Sequence, residues 1–165
     1  MALALDFLGV WLISSLLGSG DLGIQLIQIL IFLIAWLVLR VLVVYNNQGQ
    51  SLGRWAFDLK VLEVEDGEIM GRIPRLQALV TREAIIGAGG LLVSIALRNI
   101  IANPTAILLT LPLAIDCGAA LYDNQLRQAL HDRYFGTIIV SSRRGYSLDI
   151  KIKRLLETVR QNVRR

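Results

Sequence analysis

The chain has 165 residues, 55% hydrophobic and 18% charged, with a formal net charge of +4 and a mean hydropathy of +0.58. A soluble domain carries about a quarter of its residues as charges, so this balance excludes an ordinary soluble fold and indicates a small integral membrane protein. The single cysteine, Cys117, excludes an intramolecular disulfide and, inside an apolar segment, reads as a small buried hydrophobe.

The first expected span, residues 1–17, is MALALDFLGVWLISSLL. It is short for a crossing of about 20 residues, and Asp6 stands where a signal peptide would carry positive charge. After a Gly/Ser turn at 18–23, the second span, 24–45, is the most apolar; it contains Arg40, and Trp36 and Tyr45 are expected to anchor its end at the headgroups. Residues 46–78 are polar and mixed in charge. Alternation around Leu59–Glu65 before Asp66-Gly67 is compatible with a small β-hairpin or a helical turn. Pro74 suits the start of the next helix. The third span, 79–102, opens with Arg82 and Glu83, and Gly87, Gly89, Gly90 and Ser94 give it a face of small residues that lets another helix approach closely. Arg98 has to snorkel or mark its end. The fourth span, 104–122, carries a lone carboxylate, Asp116, and an internal Pro112 expected to kink it. The expected class is therefore an all-α membrane protein, a four-helix bundle with one extramembrane loop.

The basic residues flank the apolar spans, which speaks for membrane orientation and against a nucleic-acid partner. Arg54, Lys60, Arg72, Arg75 and Arg82 lie in or beside the long connection, and ten of the seventeen Lys/Arg follow Tyr122. By the positive-inside rule the connection and both termini are expected to be cytoplasmic. At 1.5 Å per residue, Asp6 then sits about 7 Å in from the N-terminus, Arg40 about 7 Å before Tyr45 and Asp116 about 9 Å before Tyr122, with Arg82 and Glu83 at similar depth. Charges in membranes pair across the bundle interior or mark an ion or proton pathway. Both readings of the layer Asp6, Arg40, Arg82, Glu83 and Asp116 stay open at this point.

No second histidine, cysteine pair or carboxylate cluster has metal-ligand spacing, and no nucleophile triad or phosphate loop is legible. The expectation is a non-enzyme without metal or cofactor. Residues 141–165 form a tail in which Ile152, Leu155, Leu156, Val159 and Val163 recur at helical spacing among Lys151, Lys153, Arg154, Arg160, Arg164 and Arg165. This basic amphipathic helix suits anionic lipid headgroups, an acidic partner, or the protein's own loop.

The run Leu130-His131-Asp132-Arg133, followed by Gly136-Thr137 and Ile138-Ile139-Val140, resembles the Leu-His-Asp-Arg-x-x-Gly-Thr-x-Val ending of the RDD family of bacterial membrane proteins. Asp6, the segment Ser51-Leu52-Gly53-Arg54 and Asp116 match further family positions in order, so the likeness covers a membrane domain of about residues 1–140. The family's eponymous arginine lies before its first aspartate, upstream of where this sequence starts; either Arg40 or Arg82 substitutes, or the natural chain extends further. The resemblance implies a bacterial inner or internal membrane and, for some members, sodium/proton exchange. His131, the only histidine, is expected to tie a corner between the fourth span and the strand-like run, with pH sensing as the alternative. Two function classes follow. One is small-ion or proton-coupled transport through the carboxylates, in a homo-oligomer. The other is an accessory or assembly subunit of a larger membrane complex.

Overall fold

Each long uncharged run forms a helix in the computed structural model, which describes residues 1–16, 22–123 and 126–142. Helix α1 spans Ala2–Ser15. Helix α2 starts at Leu22, widens into a π-helical turn at Val38–Leu42 and returns to α geometry for Val43–Asn46. A short helix α3, Leu52–Ala56, precedes strands β1, Leu59–Glu65, and β2, Glu68–Ile69. Helix α4 is Leu76–Asn99. The final apolar segment is a 3-10 helix at Pro104–Thr110 continued by α5, Leu111–Tyr122; helix α6, Leu130–Tyr134, and strand β3, Thr137–Ser141, follow. Gln25–Asn46, Leu76–Asn99 and Pro104–Tyr122 are long and apolar enough to cross a membrane, whereas α1 is shorter. The 18–23 turn falls largely, and the basic tail helix wholly, outside the described residues.

The all-α expectation needs correcting, because the chain returns after its last long helix to build a sheet. Strand β1 pairs antiparallel with β2 on one side and β3 on the other, with Val61 opposite Ile139 and Leu62 opposite Ile138. The β-branched run of β3 fits this half-buried, pleated surface. The hairpin alternative holds for β1 and β2, and Asp66 and Gly67 both take positive φ, as a type I′ turn requires.

Two apolar clusters organise the interior. Val10, Phe32, Trp36 and Ile86 join α1, α2 and α4, while Val41, Val44, Val61 and Leu79 tie the sheet to α2 and α4. Trp36 is therefore not a headgroup anchor. It is 1% exposed, stacks on Phe32 and donates from Nε1 to the Glu83 carbonyl at 3.1 Å. The small-residue face of α4 makes this approach possible: a Cβ on Gly87 would stand 2.9 Å from Trp36 Cδ1, and one on Gly89 3.2 Å from Leu113. Pro112 does not kink a continuous helix. It lies in the first turn of α5, after the change from 3-10 geometry, where its missing N–H costs nothing.

Candidate functional site

Charged side chains from α1, α2, α3, α4, α5 and α6 converge between the helices and the sheet. The wide turn of α2 carries Arg40, which is 2% exposed. A π turn breaks the regular hydrogen-bond ladder and occurs frequently at functional positions. From there Arg40 Nη1 donates to Asp6 Oδ2 at 2.7 Å, Nε to Glu83 Oε2 at 2.9 Å and Nη2 to Glu83 Oε1 at 3.3 Å. Its guanidinium also lies 5.3 Å from the Trp36 ring centroid, within cation–π range.

Asp6 is held from two further directions along the Ser51-Leu52-Gly53-Arg54 segment. Ser51, the N-cap of α3, donates its hydroxyl to Asp6 Oδ2 at 2.6 Å and accepts from Arg54 N at 3.2 Å. Gly53 N donates to Asp6 Oδ1 at 2.6 Å. The glycine is a steric requirement: a Cβ there would run into the Ala2 carbonyl oxygen and approach Asp6 Cγ to 3.0 Å.

Glu83 is the centre of the group. Besides Arg40, it accepts from Arg54 Nη2 and Arg82 Nη1, both at 3.0 Å. Three arginines around one buried carboxylate crowd each other. Burial first, then Arg40 and Arg82, push the Arg54 guanidinium down to about 9, with Glu83 opposing. Arg54 Nε and Nη1 accordingly find no acceptor among the described residues. In the sequence Arg54 counts toward orientation and toward the Ser51-Leu52-Gly53-Arg54 likeness but not toward the polar layer; its position beside Ser51 and Gly53 is the signal that joins it to the group.

Arg82 carries the chain onward, pairing through Nη2 with Asp132 Oδ1 at 2.8 Å. Asp132 Oδ1 also accepts from Thr137 Oγ1 at 2.7 Å, so β3 is tied to the same group. Burial works against the Asp132 charge, but Arg82, with His131 and Thr137, outweighs it and holds this carboxyl well below the usual carboxylate range. His131 Nε2 lies 3.4 Å from Asp132 Oδ2. On its other side His131 donates its backbone N–H to Asp116 Oδ1 at 2.9 Å, and Nδ1 meets Asp116 Oδ2.

The result is one series, Asp6–Arg40–Glu83–Arg82–Asp132–His131–Asp116, with Arg54 as a branch on Glu83. Asp6, Arg40, Arg82 and Glu83 come together from the predicted layer. Asp116 belongs to the series only through His131, not through Arg40. Of the motif residues, Ser51, Gly53, His131, Asp132 and Thr137 take part. Leu52, Leu130 and Arg133 point outward, and Gly136 turns the corner into β3 at φ 59°, its carbonyl accepting from Val64 N. Lys151, Lys153, Arg154, Arg160, Arg164 and Arg165 lie outside the described residues. No cluster of three or more His, Cys, Asp or Glu side chains suited to a metal ion occurs among the described residues. Three arginines face Asp6, Glu83 and Asp132, so the interior part is charge-balanced, and the Asp116–His131 pair is added at its edge.

Residues 1–136 match the RDD family, over the same stretch that contains this charge series up to the corner before β3. No curated protein and no solved structure matches the chain significantly.

Proposed function

Because the chain belongs to the RDD family, we propose that it works as a non-catalytic accessory or assembly subunit of a bacterial inner or internal membrane. It has four spans, α1 included, and both termini are cytoplasmic. The reading rests on one observation: the oxygens of Asp6 and Glu83 are engaged by buried donors from five residues, Arg40, Ser51, Gly53, Arg54 and Arg82. A carboxylate that takes up and releases an ion needs a free, hydrated lone pair, whereas one enclosed by arginines serves to hold elements together. The charges clamp the spans to the sheet, which becomes a rigid platform on the cytoplasmic face. The positive-inside bias supports that orientation. Only 6% of the Pro104–Tyr122 window is buried, against 44% for Leu76–Asn99, which leaves the last span available to a second copy or a larger complex. The basic tail adds attraction to anionic headgroups.

A second reading, proton-coupled transport, draws on the open end of the series. Asp116 and His131 border a surface groove of about 600 Å³ together with Ile85, Leu130 and Tyr134. Purified protein in sealed vesicles, tested for proton- or sodium-coupled flux, separates the two. The expected outcome is no flux, together with a defined oligomer or a stoichiometric partner on extraction in mild detergent. Coupled flux that disappears in Asp116→Asn would overturn the accessory reading.

A further inference from the structure

The end of the bundle remote from the charge series contains a second polar feature. A cavity of about 630 Å³ opens between the C-terminal ends of α1 and α4 and the N-terminal part of α2. Its volume lies within the range of small-molecule sites. Ser94, on its wall, is eleven residues along α4 from Glu83, about 16 Å away, and the Val10–Phe32–Trp36–Ile86 cluster lies between the two regions.

The lining is asymmetric in its hydrogen-bonding capacity. Arg98, which is exposed, donates from Nη1 to Gln28 Oε1 and has no carboxylate partner among the described residues. Gln28 is 3% and Ser94 6% exposed, so polar groups are buried on the wall of a cavity that holds no acidic side chain among its described lining residues. Deeper in, Phe32, Ile29 and Leu91 offer an apolar surface. A cation at the mouth, with no acid beside it among the described lining residues and an apolar floor below, complements one kind of molecule.

We propose that this cavity binds an amphiphile with an anionic phosphate or carboxylate head, the head held by Arg98 and the apolar body against Phe32, Ile29 and Leu91. The site is independent of the accessory role and does not involve the charge series.

The test uses the full chain in a neutral detergent, with binding followed by calorimetry and by native mass spectrometry. Decyl phosphate is the free probe, decyl phosphocholine the zwitterionic control and inorganic phosphate the head alone. A separate arm incorporates the protein into nanodiscs of phosphatidylcholine with or without phosphatidylglycerol and looks for retained lipid after extraction. Saturable one-to-one binding of decyl phosphate, at least tenfold tighter than decyl phosphocholine or inorganic phosphate, is expected. Arg98→Gln should lose about tenfold, while Arg98→Lys retains most of the binding. Ser94→Leu, which fills the wall one helical turn before Arg98, should abolish it, with folding checked by circular dichroism. Retained phosphatidylglycerol identifies a membrane lipid as the source; binding of the free probe without retention identifies a free amphiphile. Equal binding of the anionic and zwitterionic probes, inorganic phosphate binding as tightly as decyl phosphate, unchanged affinity in a folded Arg98→Gln protein, or no binding in either arm would overturn the proposal.

Discussion

At one end of the charge series Asp6 accepts hydrogen bonds from Arg40, Ser51 and Gly53, three residues on two elements, and its side chain is 0% exposed. At the other, Asp116 is bound among the described residues by His131 alone, and its side chain keeps 14% of its surface. Both are single acids in apolar segments, and by depth alone they look equivalent. Their surroundings make them different: one carboxylate is built into the joint between the spans and α3, whereas the other stands at a groove with a titratable partner. An acid in a membrane segment is therefore assigned by what engages its oxygens rather than by the cost of its charge.

Substitutions break this comparison in a graded way. Glu83→Gln leaves Arg40, Arg54 and Arg82 facing one another without their shared counter-charge, and removing one partner of a buried ionic group costs about 3–5 kcal/mol. The variant is expected to accumulate poorly, or to melt far below the parent when unfolding is followed in detergent. Next comes Gly53→Ala. The new methyl collides with the Ala2 backbone rather than with a flexible side chain, and overpacking of this kind costs about 1–3 kcal/mol, measurable as a lowered melting temperature.

Acid stability probes the middle of the series. The Asp132 pKa is lowered by folding, so its contribution is complete above the unfolded value of about 3.9. It is lost as the pH falls below that, through the lower folded value. Melting temperatures taken from pH 7 to pH 2 should stay level with respect to this group until about pH 4 and then fall. In Asp132→Asn that component of the acid decline should be absent and the protein less stable at neutral pH. The smallest effect is expected at the exposed end: Asp116→Asn keeps an acceptor for the His131 N–H and should cost about 1 kcal/mol or less. A loss at Asp116 as large as that at Glu83 would erase the distinction between the two ends.

Much of this arrangement was legible because a charge inside an apolar run stands out. Asp6, Arg40, Arg82, Glu83 and Asp116 are visible for that reason, and so are the long helices, whose apolar runs need no partner to be recognised. Arg54 and Asp132 were not assigned to the interior, since each lies among other polar residues where burial leaves no contrast. Depth placed Asp116 level with Arg40, but depth says nothing about rotation. The final span turns its acid toward His131, which arrives from beyond the helix end. Strand β3 pairs with β1 across more than seventy residues of chain, a non-local choice that periodicity in either strand alone does not reveal. Trp36 was misplaced because tryptophan at the end of a span fits a headgroup anchor; only the space left by Gly87 shows that its ring turns inward.

The central claim is that the buried charges act as one clamp between the spans and the sheet. Arg82 is where this is most exposed to test, since it touches Glu83 through Nη1 at 3.0 Å and Asp132 through Nη2 at 2.8 Å. A double-mutant cycle with Glu83→Gln and Asp132→Asn, read as unfolding free energies in the same micelles, isolates their coupling through that guanidinium. A coupling of about 1 kcal/mol or more is expected for groups sharing one network. Additivity within about 0.5 kcal/mol would contradict the clamp.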